Sequence, residues 1–495
     1  VHDSTNKQFV MTSARGRRTS FFDNSATNPS SRHGKLKSVI DKGGRTITAQ
    51  YVGTTGQLAS FVQELSGQSS GYYYEYITAA TNLGKLLSVT LKVNGEPVRR
   101  ARYSYYAAGP GGSLGDLRSA NIEQYVAASG SWASITRKHY RYYVNGDDNG
   151  FQYGLKYIVS GSAYQRMVES GLNPETATDA ELASFANYHF QYDVARRVSL
   201  ERLDGGRRLY SFAYLLNSTN PAYSQINTWS TCTIETLPDG NQNRVYTNKA
   251  GQVILKIRRD VANNRQWYEY AQYDAQFRTV LQASSFAVAS VDEPASASAP
   301  LTVNLKTIAG RIRKQVFYTA DNNATGAVKG YLDKVTVQEG TLGSAVTLAH
   351  YEFDTHTALG QTIHPLRAMT EYPSGGSGNR TAFAYTWLKN EANQNTLQVQ
   401  QWTTTYPTVP TSQNGNNTAG QQIRVFDAFG MPLWQKDQRG AITAMSYDLA
   451  TGAMIRKIED VNTTKISGVP AGWATVAGWG QHLVSDFIND ALGRV

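Results

Sequence analysis

Aromatic–aspartate pairs recur along this chain, together with glycines at turn spacing. The clearest copies are Phe426-Asp427 and Tyr447-Asp448, which lie 21 positions apart, and Asp437 begins another turn nearly midway between them. An Asp at the start of a turn accepts hydrogen bonds from backbone N–H groups two residues on, and a following Gly supplies the positive φ that closes a hairpin. The spacing therefore predicts one β-hairpin per repeat.

The residues between the turns alternate as they do in strands. In the segment WYEYAQYD (267–274), every second residue lies on the same face of an extended chain, and aromatic rings occur on both faces. Large aromatic residues on both faces predict stacking between neighbouring strands.

Weaker copies of the pattern cover most of the chain. Their turn and strand-start residues are Phe22-Asp23, Gly34-Lys35-Leu36, Asp41, Gly44, Gly56-Gln57-Leu58, Gly84-Lys85-Leu86, Tyr140–Tyr143, Tyr192-Asp193, Asp239-Gly240, Gly251-Gln252-Val253, Tyr273-Asp274, Gly452 and, last, 490–494.

The composition agrees with an all-β fold. The chain contains 31 Tyr, 43 Gly and only 14 Pro, and charged residues make up 17% of it. Tyr favours strands and Gly supplies turns. We therefore expect repetitive antiparallel β-hairpins, with each hairpin pairing with the next.

The coupled recurrence of Tyr-Asp, Gly-Arg and a strand resembles the RHS/YD repeat, as in Tyr192-Asp193 and the terminal stretch 490–494. That family includes bacterial polymorphic toxins, shell subunits of insecticidal Tc toxins and animal teneurins. The resemblance covers about residues 20–495, with gaps. It implies one long curved or spiralling sheet that forms a hollow shell, which in several members encloses a toxic C-terminal polypeptide. The family's terminal core motif with its autocleavage site is not visible in this sequence.

Two segments interrupt the strand pattern within a single repeat region spanning 1–495. Residues 162–190 are predicted to be a helical insert, in which Ser162 caps a first helix ending near Gly171 and a second follows Pro174. Thr178 and Glu181 have the spacing of a capping box, and Leu182, Phe185, Ala186 and His189 follow helical spacing. Residues 287–301 are rich in Ala, Ser and Pro and are predicted to be a loop.

Candidate metal ligands are few. His350, Asp354, His356 and His364 fall within a short stretch, but on one unbroken strand His350 and His356 would lie about 20 Å apart. Asp147-Asp148-Asn149-Gly150 is the nearest approach to a calcium loop, and it lacks the alternating carboxylates of such loops. We expect these residues to be ordinary strand and turn residues, and we expect no metal site.

The sequence also predicts no catalytic or cofactor-binding residues. It contains no nucleophile elbow, P-loop or H-E-x-x-H motif. Cys232 is the only cysteine, so no intrachain disulfide forms, and we expect it to be a buried small residue. We therefore expect the chain not to be an enzyme and to need no cofactor.

The net charge of +10 comes partly from basic pairs, at Arg99-Arg100, Arg196-Arg197, Arg207-Arg208 and Arg258-Arg259. They are spread along the chain, so we interpret them as cations that stack on tyrosine rings and keep the sheet soluble. A nucleic-acid partner is not expected. The sequence contains no run of 18 or more apolar residues, so it predicts no transmembrane helix.

Together these features predict a structural shell or scaffold segment of a large secreted or cell-surface RHS/YD-type protein, which encloses a toxin or acts in cell-surface contact. Its expected partners are the remaining repeats of its own longer chain, and an encapsulated C-terminal toxin or surface glycans. The alternative is a carbohydrate-binding adhesin module, since Tyr, Trp, Asn and Gln suit sugars.

The residues 490–494 open a hairpin that the sequence does not complete, and an unpaired last strand would invite association with other chains. We therefore expect this chain to be part of a longer polypeptide. An intact mass near 54 kDa for the protein from its source, with Val495 as its natural last residue, would contradict this expectation.

Removal of metal ions should not affect folding, because the histidines are scattered and the single cysteine has no partner. We expect exhaustive chelation to leave the melting temperature unchanged within a few degrees. A larger loss, measured by differential scanning calorimetry, would show that a metal ion supports the fold.

Overall fold

The computed structural model describes residues 2–12, 17–40, 46–53, 55–65, 68–373, 376–390, 392–428, 430–448 and 453–488. The turn residues expected at Asp41, Gly44, Gly452 and 490–494 lie outside these ranges.

The described chain consists of strands joined by turns and loops, with two α-helices and three single-turn 3-10 helices (Ser30–Arg32, Ser285–Ala287 and Thr411–Gln413). The helices are α1 (Ser162–Glu169) and α2 (Asp179–Phe185), and the strands are β1 (His2–Asp3), β2 (Gln8–Thr12), β3 (Arg18–Phe22), β4 (Leu36–Ile40), β5 (Thr46–Tyr51), β6 (Leu58–Leu65), β7 (Gln68–Tyr76), β8 (Leu86–Val93), β9 (Glu96–Tyr105), β10 (Leu117–Val126), β11 (Ser131–Tyr142), β12 (Leu155–Ser160), β13 (Tyr188–Tyr192), β14 (Val198–Leu203), β15 (Arg208–Leu216), β16 (Thr231–Thr236), β17 (Gln242–Thr247), β18 (Val253–Asp260), β19 (Arg265–Tyr273), β20 (Thr279–Ala283), β21 (Val288–Asp292), β22 (Thr302–Leu305), β23 (Arg311–Phe317), β24 (Leu332–Glu339), β25 (Val346–Phe353), β26 (His356–Ala358), β27 (Gln361–Ile363), β28 (Leu366–Glu371), β29 (Asn379–Lys389), β30 (Asn395–Thr405), β31 (Gln421–Phe426), β32 (Pro432–Lys436), β33 (Ile442–Tyr447), β34 (Met454–Glu459) and β35 (Leu483–Asp486).

The strands form one meander. Within the described ranges, 31 strands belong to a single antiparallel sheet in which each strand pairs with the next one along the chain. The pairs β21–β22 and β26–β27 are separate two-stranded hairpins. Across these described strands the sheet does not close into a barrel. The prediction of repetitive antiparallel hairpins in one long sheet is confirmed.

The aspartate turns have the chemistry expected from the sequence. The Oδ1 atom of Asp193 accepts hydrogen bonds from the N–H groups of Ala195 and Arg197, and Asp274 does the same for Gln276 and Arg278. In both turns the Asp N–H also donates to the carbonyl four residues on, at 2.8 and 3.0 Å. One carboxylate therefore fixes both ends of the turn.

The fourth residue of these turns has the left-handed conformation. Glycine occupies this position after Asp427 and Asp437, with φ of 80° at Gly430 and 90° at Gly440. Arg196 and Phe277 occupy it in the other two turns, with φ of 62° and 61°. A side chain is strained there, and the hydrogen bonds to the carboxylate offset that strain.

The pairing shifts register beside the turns at one rim of the sheet, which we call the bulged rim. Shifts occur at Gln50/Tyr51, Glu75/Tyr76, Gln191/Tyr192, Gln272/Tyr273 and Ser446/Tyr447. A bulge bends a strand and increases its twist. These bulges all lie at the same rim, so the local bend and the added twist recur there along the sheet.

Tyrosines connect neighbouring strands along the bulged rim, and we call them the rim tyrosines. Each donates its phenol O–H to the carbonyl of the first residue of the preceding sheet strand. In the described ranges the pairs, with their O···O distances, are Tyr51–Leu36 (2.6 Å), Tyr76–Leu58 (2.9 Å), Tyr105–Leu86 (2.8 Å), Tyr192–Leu155 (2.8 Å), Tyr214–Val198 (2.7 Å), Tyr273–Val253 (2.8 Å), Tyr385–Leu366 (2.7 Å) and Tyr447–Pro432 (3.0 Å).

All four core clusters of buried side chains lie on one face of the sheet, the covered face. Directly opposed residues of an antiparallel pair share a face, and the opposed pairs can be followed from strand to strand. One such series joins Leu255, Tyr270, Ala283 and Ile312. Strand alternation places the rim tyrosines on the opposite face, although Tyr273 also packs against the cluster around Trp229.

Three connections between strands pack over the covered face, and each starts at the rim opposite the bulged rim. The helices pack on Tyr157 and Val159. The β21–β22 hairpin contributes Val291, Leu301 and Val303 to the cluster around Trp229, Cys232 and Tyr246. Further along the chain, Ile466, Val469 and Trp473 pack on Trp434 and its neighbours. These connections supply the second layer that a single sheet needs to bury its apolar side chains.

The helical insert, 161–187 in the structure, largely matches its prediction. The capping box at Thr178 and Glu181 is present, with both reciprocal hydrogen bonds. Ser162 is a helical residue rather than the cap, because the N-cap position is Gly161 and no side chain caps it. His189 belongs to β13 instead of the helix, since α2 ends at Phe185.

The segment 287–301 is only partly the predicted loop. Val288–Asp292 forms β21, which pairs with Thr302–Leu305. The Pro and Ser residues that indicated a loop lie between the two strands, at 293–301. The strand forms because Val288 is buried and Val291 packs on the sheet, which the local composition did not reveal.

Replacing Tyr192 by Phe should destabilise the sheet. The Leu155 carbonyl loses its phenol donor, and we expect a cost of about 1 kcal/mol in the free energy of unfolding. Urea unfolding of the Tyr192→Phe and Tyr72→Phe variants measures the difference, with Tyr72, which is 49% exposed, as the matched control. Equal stability of the two variants would contradict a structural role for the rim hydrogen bonds.

Candidate functional site: the ion-paired helical insert

The helical insert is held to β11 and β12 by a small apolar core. Val159, Met167 and Leu182 are fully buried, and Phe185 is partly buried beside them. The helical spacing of Leu182 and Phe185 predicts that both are buried against the sheet. This prediction is confirmed for Leu182, whereas Phe185 is only partly buried at the margin of the cluster.

A cluster of ion pairs surrounds that core. Asp179, at the start of α2, accepts from Arg141 at 2.9 Å and lies 2.7 Å from the Lys156 amine. Lys156 also contacts Asp147 at 3.1 Å. Burial would raise the pKa of Asp179, but the hydrogen bonds from Arg141 and Lys156 outweigh it and lower that pKa.

A second carboxylate, Glu175, binds two further arginines of the sheet. Its Oε2 atom lies 3.2 Å from Arg118 and its Oε1 atom 3.7 Å from Arg137. The backbone of the insert takes part as well, because Arg118 donates to the Glu175 carbonyl and Arg141 to the Ala177 carbonyl. The segment between the helices thus neutralises a cationic patch on the covered face.

Lys156 reaches this cluster because of a bulge. Tyr157 opposes Arg141 and Leu155 opposes Tyr142, so Lys156 lies between the two pairs without an opposed residue. A bulge redirects the side chain of its extra residue. Lys156 can therefore contact Asp179 together with Arg141, although strict alternation would place Lys156 and its neighbour Tyr157 on opposite faces.

Two histidines lie beneath the insert. His139 is fully buried between Arg137 and Arg141 on the same strand face, and burial together with Arg141 and Arg118 lowers its pKa to about 4. His189 stacks on Tyr157 with ring centroids 4.4 Å apart, and burial followed by Arg202 lowers its pKa to about 4 as well. Both imidazoles are neutral at pH 7.

On the N-terminal side the covered face continues as a polar network. Glu123 and Asn121 are buried, and Arg100 contacts Glu123 at 2.5 Å. Asn121 donates to Glu123 and accepts from Ser134. The Arg100 guanidinium also lies 4.3 Å from the centre of the Trp132 ring. Hydrogen bonds and a cation–π contact replace apolar packing at this position.

The opposite face contains a hollow of about 770 Å³ across β18 to β28. Its lining includes the cations Lys256 and Arg313 and the carboxylates Glu269 and Glu371. Lys256 is directly opposed to Glu269, and Arg313 to Gln282. The lining also includes Arg311, so charges of both signs are present in the hollow.

The histidines considered as metal ligands are separated. His350 lies in β25 beside Asp333 (3.4 Å), whereas His356, in β26, stacks on Trp387 with ring centroids 3.7 Å apart. His364 contacts Thr355, and Asp354 lies near Arg367. No group of three or more His, Cys, Asp and Glu side chains in the described ranges is placed to hold a metal ion.

The other residues singled out from the sequence occupy ordinary positions. Asp147 accepts from the Val144 N–H in a turn and from Lys156. Cys232 is fully buried in the cluster with Trp229 and Tyr246, and burial raises the pKa of its thiol to about 11. The prediction that Cys232 is a buried small residue is confirmed.

Some arginines of the basic pairs stack on aromatic rings, but the predicted tyrosine partner is found for Arg197 and not for Arg196. Arg196 lies over Phe151 and Arg197 over Tyr214. Arg258 instead pairs with Glu269, and Arg208 with Asp204. Neither helix in the part of the chain that the structure describes is long and apolar enough to span a membrane.

The sequence did not indicate the ion cluster. Arg118 and Glu175 are 57 positions apart and Arg141 and Asp179 are 38 apart, so no local motif joins them. One signal was available, because Asp179 and Glu181 in the first turn of a helix favour contact with cations.

No family model and no curated protein matches the sequence. Among solved structures, the chain is similar to TcdB2-TccC3 (10% identity, TM-score 0.29, covering 96% of this chain and 26% of that one). It is also similar to the Tc holotoxin pore of Photorhabdus luminescens (11% identity, TM-score 0.34, covering 89% of this chain and 23% of that one). A third similar structure is TcdB2-TccC3-Cdc42 (10% identity, TM-score 0.29, covering 97% of this chain and 27% of that one). The chain spans about a quarter of the length of these chains, and similarity at this level assigns no function to it.

Truncation of Leu182 should cost more stability than truncation of Phe185. Leu182 is fully buried, so Leu182→Ala should cost about 2–5 kcal/mol. Phe185 is only partly buried, so Phe185→Ala should cost about 1–2 kcal/mol. Chemical denaturation of both variants, with Leu83→Ala (67% exposed) as control, measures the order. A larger loss for Phe185→Ala would contradict the packing described.

Proposed function

We propose that this chain is a wall segment of a larger extracellular protein of the RHS/YD type, with a structural rather than a catalytic role. The observation that carries the proposal is the uninterrupted meander, in which each sheet strand of the described ranges pairs with its successor. Such a sheet grows along the chain without enclosing a compact core of its own, which is the form of a wall.

The two sides of the wall are built differently, and this supports the proposal. The covered face is thickened by the helices, the β21–β22 hairpin and the connection after β34. The opposite face carries the rim tyrosines and the hollow. Bulges repeated at one rim curve the wall, and a curved wall continued by further repeats encloses a space.

The partners follow from this role. The wall associates with the remaining repeats of its own longer chain, and the enclosed space holds a polypeptide cargo. The alternative of a carbohydrate-binding module stays a prediction from the sequence, and binding of the purified chain to a glycan array at micromolar concentration would favour it.

Protection from proteolysis tests the wall. The full-length protein from its source is digested with a broad-specificity protease, and the fragments are identified by mass spectrometry. We expect segments outside 1–495 that lie within the wall to resist digestion. The triple variant Tyr192→Phe, Tyr214→Phe and Tyr273→Phe should expose them at lower temperature, because each change removes a hydrogen bond between neighbouring strands.

The matched control carries the same chemical change at exposed tyrosines, as Tyr72→Phe, Tyr188→Phe and Tyr223→Phe. In this control variant the enclosed segments should resist protease digestion as well as they do in the wild type. If no segment of the full-length protein is protected, or if both triple variants behave alike, the chain does not act as an enclosing wall.

A further inference from the structure

We infer that the helical insert detaches from the sheet in mild acid, while the sheet itself stays folded. The insert would thus act as a flap over β10 to β13. This inference rests on the contacts of the insert and does not depend on the proposed wall function.

His139 lies under the flap. His139 is opposed by Ser119 on one side and Val159 on the other, and Val159 is buried in the core of the insert. Arg137 and Arg141, its neighbours on the same strand face, both contact the insert. Water therefore reaches His139 only when the insert moves away.

The surroundings of His139 carry an excess of positive charge. The cations exceed the carboxylates, and the carboxylates are already bonded to arginine or lysine. The titratable and charged groups facing this site are Arg118 and Glu123 from β10, Arg137 and Arg141 from β11, Asp147 from the turn after β11, Lys156 and Tyr157 from β12, His189 from β13, Arg202 from β14, Tyr164 from α1, and Glu175 and Asp179 from the rest of the insert, together with Tyr106, whose ring lies under Arg118. A proton added to His139 places a positive charge beside three arginines, and the nearby carboxylates are already paired with other cations.

Acid favours the detached state of the insert. The pKa of His139 is about 4 with the insert docked, against an ordinary value of 6.5. The detached state therefore takes up a proton first, and the docked state loses stability as the pH falls from 6.5 to about 4. One pKa unit is a factor of ten, so His139 alone changes the docked-to-detached ratio by about two orders of magnitude. His189, with a pKa lowered in the same direction, adds to the effect.

Elsewhere in the described sheet, the hydrogen bonds of the bulged rim and of the aspartate turns lack this sensitivity. The rim hydrogen bonds are donated by phenols, which stay neutral in acid. Hydrogen bonds from the backbone and from Arg197 lower the pKa of Asp193 in its turn, and the bonds from Arg278 overcome burial to lower the pKa of Asp274. These carboxylates stay ionised in mild acid, so the sheet persists where the flap opens.

Hydrogen exchange measured by mass spectrometry tests the inference on the whole chain. Exchange is compared between pH 7 and pH 4, after correction for the intrinsic pH dependence of exchange. We expect peptides from 162–185 to lose at least tenfold protection across this range, while peptides from β14 to β19 keep theirs.

Two variants make the test specific. His139→Gln removes the titrating group, and it should shift the acid midpoint of the insert downward by about one pH unit or more. His364→Gln, a histidine bound to Thr355 far along the chain, is the matched control and should leave the midpoint in place. If His139→Gln misfolds, Asp179→Asn serves instead, because it weakens the Arg141 and Lys156 contacts and should raise the midpoint.

Three results would overturn the inference. The insert could keep its protection down to pH 4, the insert and the sheet could lose protection together, or the midpoint could be the same in His139→Gln and the wild type. The first and third results would show that His139 does not couple protonation to docking, and the second would show that the insert does not open separately from the sheet.

Discussion

A sheet that is one layer thick has two faces exposed to water unless something packs against it, and this constraint shapes the molecule. The covered face concentrates its buried side chains in clusters, and each cluster is completed by a segment that folds back over the sheet. Between the clusters, the sheet relies on long charged side chains and hydrogen bonds, as in the Arg100, Glu123 and Asn121 network. The core is therefore distributed along the sheet instead of lying at one centre.

Strand pairing over such a length needs a device that keeps each hairpin in register with the previous one. The rim tyrosines provide it, because a phenol at the end of one strand can reach the first carbonyl of the preceding strand only when the register is correct. Burial raises the pKa of the phenols, as at Tyr385, where it reaches about 12. The phenols therefore remain donors at any physiological pH. The aspartate turns act at the same rim and fix the geometry from which each new strand starts.

Electrostatics has a different role at the helical insert. A surface ion pair contributes little to stability, but here Arg141 is 7% exposed and Lys156 is 16% exposed, so their charges need partners when the insert is docked. Asp179 and Glu175 supply those partners, together with two backbone carbonyls. Docking of the insert and neutralisation of the sheet are thus the same event, and a buried neutral histidine beneath it makes that event sensitive to acid.

The sequence by itself determined the features that depend on neighbouring residues. The turns at Asp193, Asp274 and Asp437, the strands between them, and the capping box of α2 all follow from local hydrogen bonding and from residue alternation. Local propensity failed at 287–301, where the Ser and Pro residues predicted a loop but part of the stretch forms a strand. That strand forms because Val288 and Val291 pack against residues distant in the sequence.

Tertiary structure alone decided which carbonyl each rim tyrosine binds, which face is covered, and how Lys156 joins Arg141 at Asp179. The partners are 15 positions apart for Tyr51 and Leu36, 37 for Tyr192 and Leu155, and 57 for Arg118 and Glu175. Such contacts depend on the register of several strands at once, and a single bulge moves a side chain from one set of neighbours to another. A local pattern specifies that a turn or a strand forms, but the choice of face and partner exists only after the strands have paired.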